Sequence, residues 1–172
     1  MAIVPDTKDW TWVLRRRCEE CGVEAAREDP ASVPGLVRDA VARWQEVLRR
    51  PGVAVRPDES TWSPLEYAAH VRDVFTVFEG RLRLMLEQDE PTFPDWDQDA
   101  AAVEGNYAGQ TPAEVSAQLE AAGDRIAEAF AAVPEERWQR RGVRSNGSEF
   151  TVETLAQYFV HDVLHHLHDV RG

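Results

Sequence analysis

A chain of 172 residues with 43% apolar side chains can bury one substantial core, and a single domain is the most economical reading. Its 31 acids against 19 bases, a net charge of −12, exclude a protein that works by neutralising a phosphate backbone. The runs Arg15-Arg16-Arg17 and Arg140-Arg141 are too short to reverse that, and no segment reaches the roughly 18 consecutive apolar residues of a membrane span.

Residues 1–31 read as an N-terminal arm with Trp10 and Trp12 but no clear period. Asp6, Lys8 and Asp9 interrupt any leader-like apolar run, so the expectation is a cytoplasmic protein with neither nucleic acid nor membrane among its partners. The arm carries both cysteines, Cys18 and Cys21, in one Cys-Glu-Glu-Cys-Gly unit. Two thiols are half of a zinc knuckle. By themselves they fit best a pair of cytosolic thiols packed on the body, with a redox or disulfide pair as the second reading.

Residues 32–172 read as a helical domain. Ser32 and Pro34 open a first helix running to about Arg50, with Val37, Ala40, Val41, Trp44, Val47 and Leu48 spaced three and four apart, and Pro51-Gly52 stops it. Ser63, Pro64 and Glu66 make a capping box for a second helix to about Glu87, whose stripe is Val71, Phe75, Phe78, Leu82 and Met85. Thr111, Pro112 and Glu114 repeat that logic for a third, through Ala132, with Val115, Leu119, Ile126 and Phe130 facing the core. After Trp138 and the turn Ser145-Asn146-Gly147-Ser148, a last helix starts at Thr151 and runs to about Val170. No strand series is convincing, so the expected class is all-α. The acidic connector 89–110, with Phe93 and Trp96 as packing anchors, can stretch to roughly 70 Å, longer than the second helix at about 35–40 Å. It can therefore return along the whole bundle and leave the second and third helices parallel.

Four of the five histidines fall in the run from His161 to His168, and the fifth, His70, sits in the second helix. His161 and His165 are four residues apart, about 40° and 6 Å from each other on a straight helix, so one ion can take both. His168 lies about 10 Å along the axis from His161, and His166 is turned about 100° from its neighbour, so both read as bystanders. His70 is the remaining imidazole; it comes level with the pair if the second and last helices run antiparallel. Against this, the helical wheel puts His161 and His165 nearly opposite the apolar arc of Val152, Phe159, Val163, Leu167 and Val170. A surface histidine cluster and a metal site in a wet cleft both fit that placement.

The lone histidine of Tyr67-Ala68-Ala69-His70, the long acidic loop, and the last helix with His161, His165 and Asp169 at four-residue steps resemble the DinB-like (YfiT-like) metalloprotein superfamily. The style of Trp62-Ser63-Pro64-Leu65-Glu66-Tyr67 is closest to DinB-domain proteins of high-GC bacteria. The resemblance implies a four-helix bundle of up-down-down-up connectivity, with a long crossover between the second and third helices. It also implies a divalent metal ion, with zinc, nickel and iron as candidates, held by His70, His161 and His165. Such a site keeps an open position for water or a thiolate. Asp73, Asp162 and Asp169 are near enough to accept the outer ring protons of the ligands, although they also fit ordinary exposed helix acids. The implied activity is a metal-dependent enzyme on a small-molecule substrate. It would be either a thiol-dependent transferase or isomerase using a low-molecular-weight thiol such as mycothiol, or a small-molecule hydrolase. The alternative is a non-catalytic metal-binding or stress-response bundle that binds a small molecule or self-associates, and a homodimer is compatible with either.

Overall fold

The computed structural model describes residue 3 and residues 5–172. Four long helices carry the core: α1 (Val33–Leu48), α2 (Pro64–Glu87), α4 (Pro112–Ala131) and α5 (Val152–Asp169), with a short α3 (Gln98–Glu104) between α2 and α4. None of them is long and apolar enough to cross a membrane.

The helix starts follow from local hydrogen bonding. Ser63 and Thr111 each accept from the backbone N–H three residues on, and Glu66 and Glu114 return the bond, so both expected capping boxes are present. Thr151 and Thr154 make a third such box at the start of α5. Ser32 does not cap α1. Its hydroxyl donates instead to the Asp29 carbonyl, inside a 3-10 turn (Pro30–Ser32) that leads directly into the helix.

Helix directions can be read from side-chain pairs. Arg72 reaches Gln118 and Arg125 reaches Glu79, so α2 and α4 lie side by side in the same direction. Ring contacts pair Tyr67 with His166, Phe75 with Phe159 and Phe78 with Tyr158, so α2 and α5 run in opposite directions. The segment between α2 and α4 therefore crosses the length of the bundle. Phe159 lies at the centre, fully buried, with Phe75, Phe78 and Phe130 at ring distances of 5.7, 5.3 and 5.6 Å. Each such side chain contributes roughly 1.5–3 kcal/mol by leaving water.

The expectation of an all-α chain needs correction. β1 (Thr92–Phe93) pairs in parallel with β2 (Arg141–Arg144), which pairs antiparallel with β3 (Glu149–Thr151). Each strand is too short to show alternation in sequence, and β1 gains its ladder only from a partner about fifty residues away. The sheet holds the acidic connector against the bundle. Ser145 N–H donates to the Phe93 carbonyl and Asp95 N–H to the Ser145 hydroxyl, which fixes Trp96 over α2.

The arm is docked and not free. Val13, Cys18 and Ala25 are fully buried, and Gln157 of α5 donates to the carbonyls of Ala26 and Glu28.

Candidate metal centre

α5 presents two histidine rows, because residues four apart share a face while adjacent residues are turned by about 100°. The row Asp162/His166 faces α2. The row His161/His165 faces the arm.

On the α2 side, the ligating atoms of His70, Asp162 and His166 lie within 4.8 Å of one another. His70 is fully buried, with Trp96 stacked on its ring at 5.4 Å and 10° and His166 edge-on at 4.7 Å and 89°. Asp162 Oδ1 is 3.8 Å from His70 Nε2 and 3.6 Å from His166 Nε2. Neither ring nitrogen of His70 nor Asp162 Oδ1 has a hydrogen-bond partner among the described residues, although all three atoms are buried. Unsatisfied buried polar atoms cost about 1–3 kcal/mol each, and His70 Nε2 and Asp162 Oδ1, which stand together with His166 Nε2, fit an ion as their common partner. His166 Nδ1 lies 3.0 Å from Asp169 Oδ2, which assigns the ring proton to that side and leaves Nε2 with a lone pair facing Asp162.

Among the three groups the electrostatics favour the ligating form at His70. Burial, reinforced by the charge of His166, pushes His70 well below the ordinary histidine value, so the ring is a neutral donor of electron pairs. Burial alone would lower His166, but the hydrogen bond to Asp169 and the charges of Asp162 and Asp169 outweigh it and raise the pKa. Burial raises Asp162, against the attraction of His166 and His165. Its Oδ1 is buried although the side chain reaches the pocket, and a cation beside that oxygen would favour the ionised carboxylate.

On the arm side, the ligating atoms of Cys18, Cys21, His161 and His165 also lie within 4.8 Å of one another. His161 and His165 are only 3% and 7% exposed, because Trp10 covers them at ring distances of 5.6 and 5.0 Å. Burial and the charges of His165 and His166 push His161 down to about 4.

The structure thus divides the residues expected from sequence. His161 and His165 come together, as expected, but with the two cysteines; His70 joins Asp162 and His166 instead. His166, read from sequence as a bystander, faces His70, while His168 is exposed. Asp162 stands among the candidate ligands, and Asp169 is the acceptor behind His166. Asp73 is engaged elsewhere, accepting from the Tyr107 hydroxyl at 2.5 Å and from Arg72 at 2.8 Å. The signal for Asp162/His166 was in the sequence, as a second four-residue step one position out of phase with His161/His165.

A pocket of about 310 Å³ opens over α5, with both rows in its wall together with Trp10, Trp62, Tyr67 and the acids Asp6, Glu20 and Asp99. Burial pushes the Tyr67 phenol up to about 12, so it remains a hydrogen-bond donor at neutral pH.

The sequence model of the DinB superfamily matches residues 14–170. The chain belongs to the DinB superfamily. Among solved structures, this DinB-superfamily chain is similar to YfiT from Bacillus subtilis, described as a probable metal-dependent hydrolase with an unusual four-helix bundle topology. The superposition has a TM-score of 0.71 and covers 83% of this chain and 84% of that one at 17% identity, which establishes a shared fold. No curated protein matches the chain.

Proposed function

We propose that this DinB-superfamily protein is a metal-dependent enzyme acting on small electrophilic substrates, with His70 Nε2, Asp162 Oδ1 and His166 Nε2 as the ligands of a catalytic divalent ion. The observation that carries this reading is that ligating atoms of His70, Asp162 and His166 lie within 4.8 Å of one another, with Asp162 and His166 in the wall of an open pocket and His70 buried behind them. YfiT's description as a probable metal-dependent hydrolase of the same fold supports it. The four long helices fit the up-down-down-up order, in which α2 and α5 are antiparallel and their ligands come level.

The two imidazoles and the carboxylate would hold a divalent ion, which when bound would supply Lewis acidity able to acidify water or a thiol. The protein's own groups do the rest. Asp169 fixes the His166 tautomer, Trp96 and Trp62 exclude water from behind His70, and Tyr67 offers a hydroxyl to an oxygen of the substrate. The acids lining the pocket disfavour anionic substrates, so hydrolysis of a neutral ester or amide fits, as does transfer involving an uncharged sugar thiol of the mycothiol type. Zinc, nickel and iron all suit the donor set.

The test is elemental analysis joined to turnover of a panel of neutral esters, amides and thiol acceptors. His70→Ala and Asp162→Asn are expected to lose the pocket metal and to lower turnover at least about 100-fold. Turnover that is undiminished in both variants, or that survives complete metal removal, would sink the proposal.

A further inference from the structure

We propose that Cys18, Cys21, His161 and His165 form a second metal site, a closed tetrahedral zinc centre that fastens the N-terminal arm to α5. It is separate from the pocket centre in ligands and in role. Three mixed N/O ligands leave room for a substrate, whereas two sulfurs and two imidazoles complete a tetrahedron and leave none.

The geometry is close to what zinc needs. With Zn–S near 2.3 Å and Zn–N near 2.05 Å, adjacent sulfur and nitrogen ligands stand about 3.5 Å apart. Cys18 Sγ lies 3.7 Å from His165 Nδ1, and all four ligand atoms fall within 4.8 Å of one another. The spacing is Cys-x2-Cys on a turn and His-x3-His on one helix face, so each half presents two ligands on the same side.

The turn is built for the purpose. Cys18 N–H donates to the Val23 carbonyl and Gly22 N–H to the Cys18 carbonyl, both at 2.9 Å. Gly22 has φ +79°, which a side chain would strain, and this curls the backbone so that both thiols face α5.

The imidazoles are oriented to match. His161 Nε2 is buried and has no hydrogen-bond partner among the described residues. His165 turns Nδ1 to Cys18, while its Nε2 lies 3.5 Å from Glu20 and 3.7 Å from Asp169, carboxylates placed to take the outer ring proton. Binding needs no oxidant: the two Zn–S bonds form as the thiol protons pass to solvent.

Seating the arm has a consequence for the pocket. Trp10, which lies across His161 and His165, is part of the pocket wall, so the zinc centre holds that wall in place.

The experiment uses the full chain loaded with zinc or cobalt(II) alone. Wild type and His70→Ala are expected to show thiolate-to-cobalt charge transfer, and Cys21→Ser none, with zinc content falling by about one equivalent in Cys21→Ser. Cobalt bound by wild type without that band, or a Cys18–Cys21 disulfide in protein purified under reducing conditions, overturns the proposal. A measurement on wild type covers a variant that does not fold. Chelation is expected to speed alkylation of both thiols and proteolysis within residues 1–31 at least about tenfold, and unchanged rates overturn it. His70→Ala reports on the pocket centre independently, so the failure of one site is distinguishable from the failure of the other.

Discussion

Glu66 shows how one carboxylate serves two local structures. It closes the capping box of α2 by accepting from Ser63 N–H at 2.8 Å, and it accepts from Arg56 Nε at 2.9 Å, while only 2% exposed. Burial alone would raise its pKa, but the bonds and charge of Arg56 and the bond from Ser63 hold it below the ordinary value of 4.5. The folded pKa being the lower one, the stability Glu66 contributes is complete above that value and is lost as pH falls through the folded pKa. Glu66→Gln leaves Arg56 without its ion and is expected to destabilise by roughly 2–3 kcal/mol, read as a lower urea midpoint at pH 7 and a smaller difference at pH 3. Asp169 is the second informative residue, since it backs His166 at 3.0 Å. Asp169→Asn should weaken metal binding about 10–100-fold in competition with a chromogenic chelator while leaving the helical circular dichroism unchanged; an unaltered affinity would remove Asp169 from the site. The Ser63/Glu66 box and the three-residue step from His166 to Asp169 lie within single helices and so in local sequence, whereas Arg56 meets Glu66 only because the connector before α2 folds back on the helix start.

At the scale of the elements, the long helices were legible and the small sheet was not. The apolar stripes of α2 and α4 and their capping boxes lie within single helices, so period and cap residues report them directly. β1 is two residues long, and its existence depends on β2 arriving beside it. The packing of α4 against α1 and α2 hinges on Gly123, where an added Cβ would stand 2.5 Å from Val41 Cγ2 and 3.3 Å from Phe75 Cε2. Alanine improves intrinsic helix propensity by about 1 kcal/mol, but Val41 is stiff at χ1 and cannot swing away. Gly123→Ala is therefore expected to destabilise by about 1–2 kcal/mol net, and a stabilised variant in urea melts would show that the three helices meet elsewhere. Thr111→Ala, which removes only a cap, should cost about 1 kcal/mol by the same measurement.

At the scale of the whole molecule, burial of histidines couples the fold to pH. In metal-free protein the His161 pKa is about 4 against 6.5 for the free side chain, so the unfolded chain takes up its proton first and stability falls as pH drops from about 6.5 towards 4. Burial lowers His70 and His165 in the same sense, while His166, raised by Asp169, acts oppositely. The three lowered groups prevail, and chelator-treated protein should lose roughly 2 kcal/mol between pH 7 and pH 5 from His161 alone. A flat urea midpoint over that interval would mean that His161 is hydrated in solution. The sequence by itself determined the four long helices, their caps, their core faces and the His161/His165 pair, because all of these repeat with the period of a single helix. It also held the Cys-x2-Cys unit and the Asp162/His166 step, but without a way to choose their partners. Only the tertiary structure decided that the arm folds over one face of α5 while α2 covers the other. That choice rests on contacts between residues as far apart as Cys18 and His165, and it separates two adjacent rows of one helix into two candidate sites of different donor chemistry.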